Sequence, residues 1–410
     1  MGAAKKIANK TESIPANKIA IASASDLRLG YLDGLRGWAS ILVLFSHLAI
    51  FALANKSPIS KAWIFGFLSD ANFAIFIFFV LSGLVLSNGY LRTGNPELLT
   101  GMVLRRYLRL FIPIFCSSML AYTLKTFDLF YNQQAGIAFS NEWLKGFYNN
   151  HMTVWQFYKF VFYDVFFHHN PTTTLNPVLW TMGLELMGSF IVFAICALVM
   201  KTPSRLVILA AIFSYFMIEK NIWYSSFIAG MFLSVAELYR NHRISKALGR
   251  LWPVALIAVA YYSASSLRGP LFSFLPAIRH DYLNLAGAML LVFYAGASKT
   301  VQGFFENRFS KYLGTISFPL YLTHFLVLCS FSSYFALYLQ NLGLGIETAS
   351  TINFVVSTAV CFLVAHLFRS VEDYAITASK EFSDLMLNKQ SNIGKKLRIK
   401  VLSLVAKNKN

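Results

Sequence analysis

The sequence predicts an all-α fold: a polytopic membrane bundle of about ten transmembrane helices with both termini cytoplasmic. Three observations predict it. Of the 410 residues, 56% are hydrophobic and only 13% are charged, about half the charged share of a soluble domain. The apolar residues, 39 of them phenylalanine, gather into runs close to the ~20 helical residues that cross ~30 Å of hydrocarbon. With the N-terminus inside, the loops on that side collect 28 of the 36 lysines and arginines, as cytoplasmic loops do. The formal net charge of +18 is then mostly topology, and no nucleic-acid partner is expected.

Taken in order, the spans fall near 35–55, 64–90, 107–125, 178–200, 205–219, 222–239, 251–266, 281–297, 312–337 and 350–369. The first opens as "LDGLRGWASILVLFSHLAIF", apolar apart from the charges at its mouth and His47 near its middle. The second carries Asn72. The third opens on "LLTGMVLRRYLRLFIP", with Arg105, Arg106 and Arg109 on its first turns. Between the third and fourth, 126–177 is polar and aromatic. Its "VWQFYKFVFYDVFF" reads as an interfacial or re-entrant amphipathic element. The fourth starts behind "NPVLW", with Asn176 placed to cap and Pro177 in the first turn. Spans 205–219 and 222–239 share a very short connector. The ninth bears Ser317, Tyr321 and His324 as one stripe at i, i+4 and i+7.

Residues 1–30 read as a cytoplasmic tail, 31–370 as the membrane domain and 371–410 as a basic tail suited to anionic headgroups. The first 30 residues have no apolar core of a signal peptide. Asn55-Lys56-Ser57 is a sequon on the far side. Cys116, Cys196, Cys329 and Cys361 lie in apolar segments without ligand spacing, so neither disulfides nor a metal site is expected.

Ionisable groups inside a bilayer are costly and usually line a cavity. Helical rise places His47 and His324 roughly 18 Å in from the cytoplasmic ends of their spans, and Asn72 and Glu185 roughly 12 Å in from the outer ends, one common depth. Arg36 and His47, eleven residues apart, share a helix face with Ser40 between them. Any one such histidine is more often a packing residue than a catalyst; the convergence is what argues for a site. Arg36 stands at the level of Arg105, Arg106 and Arg109. Single arginines there signal topology, whereas a cluster of guanidinium forks suits phosphate oxygens.

These motifs resemble the acyltransferase-3 family over roughly residues 30–370. "LDGLRGWASILVLFSH" is similar to its first-helix signature, with Arg36 and His47. "IFFVLSGLVLS", holding Ser82, is similar to the second-helix FFxLSG motif. "RRYLR" contains the R-x-x-R pattern as Arg106 and Arg109, "NPVLWTMGLELMGS" the acidic element at Glu185, and "ISFPLYLTH" the late element ending at His324. The chain departs from the family pattern at Leu186, where many members carry a second acid, and at Phe318, where tyrosine is usual.

The resemblance implies an O-acyltransferase that moves an acyl group, commonly acetyl, from acyl-CoA as co-substrate to a hydroxyl. Acceptors of the family are sugars, lipid-linked glycans and secondary metabolites. On that reading Arg36, Arg105, Arg106 and Arg109 hold CoA, His47 is the base and Glu185 orients it. Asn72, Ser82, Tyr321 and His324 are candidates for the substrate or oxyanion contacts. A multi-pass transporter or flippase with a mid-membrane polar site is the competing class. No internal repeat supports it.

Overall fold

A computed structural model describes residues 29–49, 71–149, 151–171, 173–238 and 280–407. The expected span at 251–266, the outer end of the first span, the start of the second, the N-terminal tail and the sequon lie outside the described residues. Those described are helical, with no strand among them. In chain order the helices are α1 (Gly30–Leu48), α2 (Ala71–Thr93), α3 (Pro96–Thr126), α4 (Asn132–Ala138), α5 (Glu142–Lys145) and α6 (Val154–Lys159). After a π turn (Phe160–Asp164) come α7 (Val165–Phe167), α8 (Trp180–Leu198), α9 (Arg205–Ile218) and α10 (Ile222–Leu238). The chain continues with α11 (His280–Ala297), α12 (Lys299–Glu306), α13 (Arg308–Val327), a π turn (Leu328–Ser332), α14 (Ser333–Asn341) and α15 (Ile346–Lys407).

Five helical stretches among the described residues are long and apolar enough to cross a bilayer: Ala71–Thr93, Pro96–Thr126, Pro177–Leu198, Arg308–Asn341 and Ile346–Asn388. Three shorter apolar helices accompany them, at Arg205–Ile218, Ile222–Ala236 and Asp281–Ala297. This is an integral membrane protein. Its helices cannot draw on water exclusion to associate in lipid, so close packing must hold them. Two pairs of glycines supply it. A Cβ on Gly83 of α2 would overlap the Phe227 carbonyl of α10 and one on Gly230 of α10 the Val80 carbonyl of α2, while one on Gly37 of α1 would stand 2.5 Å from the Gly314 nitrogen of α13. Around α2 the fully buried Phe73, Phe76, Val80 and Leu81 fill the interior.

Several elements differ from expectation. Helix α3 begins eleven residues before the apolar run, because Asn95 accepts from the Glu97 amide at 2.9 Å and Pro96 occupies the first turn. Pro177 does open the α8 region, in a short 3-10 turn, but Asn176 does not cap it. Its Nδ2 instead donates to the Leu322 carbonyl of α13 at 2.8 Å. Helix α15 runs unbroken past residue 370, where a tail was expected, and packs antiparallel on α3, with Ser383 Oγ donating to the Gly101 carbonyl at 3.2 Å. The 154–167 segment is amphipathic as read. Phe157, Phe160, Val161, Val165 and Phe166 are buried, while Trp155, Phe162, Tyr163 and Phe167 are exposed.

Candidate active site

Helices α1 and α13 run parallel and meet at Gly37 and Gly314, where neither backbone tolerates a side chain on the other. Ten residues further along each helix stand His47 and His324. Equal rise brings them level, and the glycine contact brings them within reach. Their rings stack with centroids 5.0 Å apart, and His47 Nδ1 lies 2.9 Å from His324 Nε2.

The bonding fixes the tautomers. His324 Nδ1 is 2.9 Å from the Leu320 carbonyl oxygen, which can only accept. His324 Nδ1 therefore carries the proton, its neutral ring leaves Nε2 as an acceptor, and His47 Nδ1–H donates to it. The chain of bonds ends at His47 Nε2, which keeps a lone pair. His324 is fully buried, whereas His47 is only half-buried. Trp143 of α5 stacks on the His47 ring at 5.8 Å, and the edge of Phe325 meets it at 5.5 Å.

One turn below the dyad, Thr181 donates to Tyr321 Oη and Tyr321 donates to the Val178 carbonyl, each at 2.7 Å. Lower again, Glu185 lies against Arg106 in an ion pair in which both side chains are largely buried. Ser82 Oγ donates to Glu185 Oε1 at 2.7 Å, Arg106 Nε donates to Ser189 Oγ at 2.8 Å, and Ser189 donates to the Glu185 carbonyl at 2.5 Å. Counting from the Tyr321–Thr181 contact, three residues up α13 and four down α8, about 10 Å separates carboxylate and dyad. The single layer expected of His47, Asn72, Glu185 and His324 is thus two tiers, and His324 holds the place beside His47 that was expected of Glu185. Asn72 stands exposed in the first turn of α2, ten residues before Ser82.

A family model described as an acyltransferase domain, type 3, matches residues 29–369, most of the chain. The chain belongs to the acyltransferase-3 family. No curated protein and no solved structure matches it. With its membrane-spanning helices, it is a membrane acyltransferase.

At the opposite end of this acyltransferase from the dyad, the arginines converge. Arg109 lies within electrostatic reach of Arg36, Arg105 and Arg106, and Glu372 of α15 is the opposite charge that acts on it. Arg36 sits 3.7 Å from Asp33 and keeps 30% of its side chain exposed. Arg105 faces Asp384. The expected quartet is therefore together, but Arg106 is already committed to Glu185. The hydroxyl protons of Ser82 and Tyr321 and the Nδ1 proton of His324 are likewise given to protein acceptors.

Sequence reading missed Trp143, Ser189 and Glu372. Ser189 had a signal, lying one helical turn after Glu185. Trp143 had only its place in the aromatic 126–177 stretch, and Glu372 lay in what read as a tail.

Proposed function

We propose that this acyltransferase moves an acyl group, acetyl in the simplest case, from acyl-CoA to a hydroxyl of a sugar, lipid-linked glycan or secondary metabolite. The observation that carries the proposal is the Leu320–His324–His47 chain of hydrogen bonds, which leaves His47 Nε2 unprotonated on the less buried ring. A base of this kind takes the proton of the acceptor hydroxyl as its oxygen attacks the thioester carbonyl. The new C–O bond forms, the C–S bond breaks, and the imidazolium returns the proton to the CoA thiolate. His324 positions the base as the third member of a triad does, accepting from Nδ1–H and so holding the productive tautomer.

On this reading Arg36, Arg105 and Arg109 bind the CoA phosphates, their forks matching phosphate oxygens. Arg106 acts from its pair with Glu185, fixing α3 against α8 beneath the dyad. From Arg36 to His47 is about 16 Å along α1, a gap for the extended pantetheine arm. The topology that agrees is ten spans with both termini cytoplasmic, which puts the arginines on the side that holds acyl-CoA. Incubating the purified protein with radiolabelled acetyl-CoA tests the proposal. Label released as acetate or transferred to an acceptor is expected; unchanged acetyl-CoA over many protein equivalents contradicts it.

A further inference from the structure

At the His47 end of the bundle lies a cavity of about 200 Å³, separate from the dyad and from the arginines. Its walls come from Lys125 at the end of α3, from 146–148 and 151–152, from the 156–164 segment, and from Pro171 and 173–177. Its volume falls below the ~300–1,000 Å³ of pockets that enclose drug-sized ligands, and suits one group the size of a monosaccharide or glycerol phosphate.

The lining is charged. Lys125, Lys159, His151 and Asp164 all face it. Lys159 Nζ lies 3.4 Å from Asp164 Oδ1, so these two charges offset each other. Lys125 has no ion-pair partner among the described residues. One ammonium is left over, a compact and non-directional cation that accepts phosphate or carboxylate alike. Asp164 Oδ1, although beside Lys159, is buried without a hydrogen bond. A buried carboxylate oxygen in that condition wants a donor, and a ligand hydroxyl supplies one.

The cavity also communicates with the dyad through rings. Phe147 lines it and packs edge-on against Phe325 at 4.9 Å and against Trp143 at 4.7 Å. Both of those rings touch His47. Next to Phe147, Tyr148 adopts φ of +61°. That is rare for a bulky residue. It turns Tyr148 onto Phe130, stacked at 3.9 Å, while Phe147 faces the dyad. Burial pushes the Tyr148 phenol well above its ordinary pKa, with Cys329 a lesser cause, so it stays a neutral wall.

We infer that this cavity is an acceptor subsite for a polyol bearing an anionic group, phosphate or carboxylate, with Lys125 as the anion's partner and Asp164 taking a hydroxyl. The inference rests on the acyl-transfer reading for the word acceptor, but the binding it asserts is measured without any acyl donor. The anionic polyol arrives either free or as a lipid headgroup.

The test titrates the full-length protein in phosphatidylcholine nanodiscs with glucose 6-phosphate and, separately, with glucose. Wild type is expected to bind the phosphorylated sugar at least about tenfold more tightly, the scale of one charge-assisted hydrogen bond. Lys125→Gln is expected to erase the preference and Lys125→Arg to keep it, both at an accessible side chain whose change leaves the core alone. Asp164→Asn should weaken both sugars. No preference in wild type, or a preference that survives Lys125→Gln, overturns the inference. Nanodiscs containing phosphatidylglycerol separate the sources. Competition with glucose 6-phosphate identifies the lipid headgroup; its absence, with the lysine dependence intact, identifies the free compound. If the preference holds while acetyl-CoA is never consumed, the transfer reading fails and the subsite stands. Consumption without any preference gives the reverse.

Discussion

Replacing Glu185 with alanine is expected to destabilise the protein as well as impair it. Glu185 Oε1 accepts from both Arg106 and Ser82, and the two charged side chains keep only 11% and 14% of their surface. Removing one member of a buried ion pair strands the other charge, at a cost of about 3–5 kcal/mol. Arg106 keeps Ser189 as a partner for Nε, which places the loss at the lower end of that range. Glu185→Gln retains a carbonyl acceptor of the same shape and loses only the charge, so about 1–2 kcal/mol is expected, the gap between charged and neutral hydrogen bonds. A double change of Arg106 and Glu185 to leucine removes both charges together and should fall well short of the sum of the two single changes. The assay is thermal unfolding of each variant in the same detergent, alongside binding of acetyl-CoA. Glu185→Ala with wild-type stability but no transfer would refute the reasoning, because the carboxylate would then act on the reaction and not on Arg106.

His324→Ala should slow transfer by about tenfold or more, the rate equivalent of the hydrogen bond that holds the His47 tautomer. Acetyl-CoA binding should be unchanged and His324→Gln, which restores an acceptor, should recover part of the rate; equal rates in both variants would count against tautomer control. Gly37→Val forces a branched side chain against the Gly314 backbone, and overpacking of this kind costs about 1–3 kcal/mol. Unfolding midpoint and transfer rate should fall together, since α1 carries His47. Trp143→Ala removes a stacking contact worth about 0.5–1.5 kcal/mol from a residue that is 43% exposed. It should lower the transfer rate with little change in unfolding midpoint; a matching loss of stability would make Trp143 a structural residue only.

Depth could be read from the sequence, and direction only in part. Counting rise along α1 and α13 set His47 and His324 level, and they touch. The same count set Glu185 level with them, because it took the ends of all spans as level; the Thr181–Tyr321 contact instead sets the register of α8 on α13, and Glu185, one turn further down α8, falls in the tier of Arg106. Nor does a count of rise reveal which neighbour a short side chain will meet: Asn176 had the position of a cap but found the Leu322 carbonyl across the helix interface. Hydropathy locates apolar runs and is blind to helix beyond them. That is why α3 began early and α15 ran long, although the stretch from Ile346 to Ile393 holds no glycine or proline to stop it. The cavity beside Lys125 is built from loops and short helices whose periodicity is too brief to read. Trp143 and Lys125 were visible there only as composition.

The central claim is that His47 Nε2 takes the proton from the acceptor. Measuring acetyl transfer by His47→Ala, in protein shown to unfold at the wild-type temperature and to bind acetyl-CoA normally, tests it most directly. Loss of about 100- to 10,000-fold in rate is the expected result, the range ascribed to a positioned general base. Turnover near that of wild type would contradict the claim.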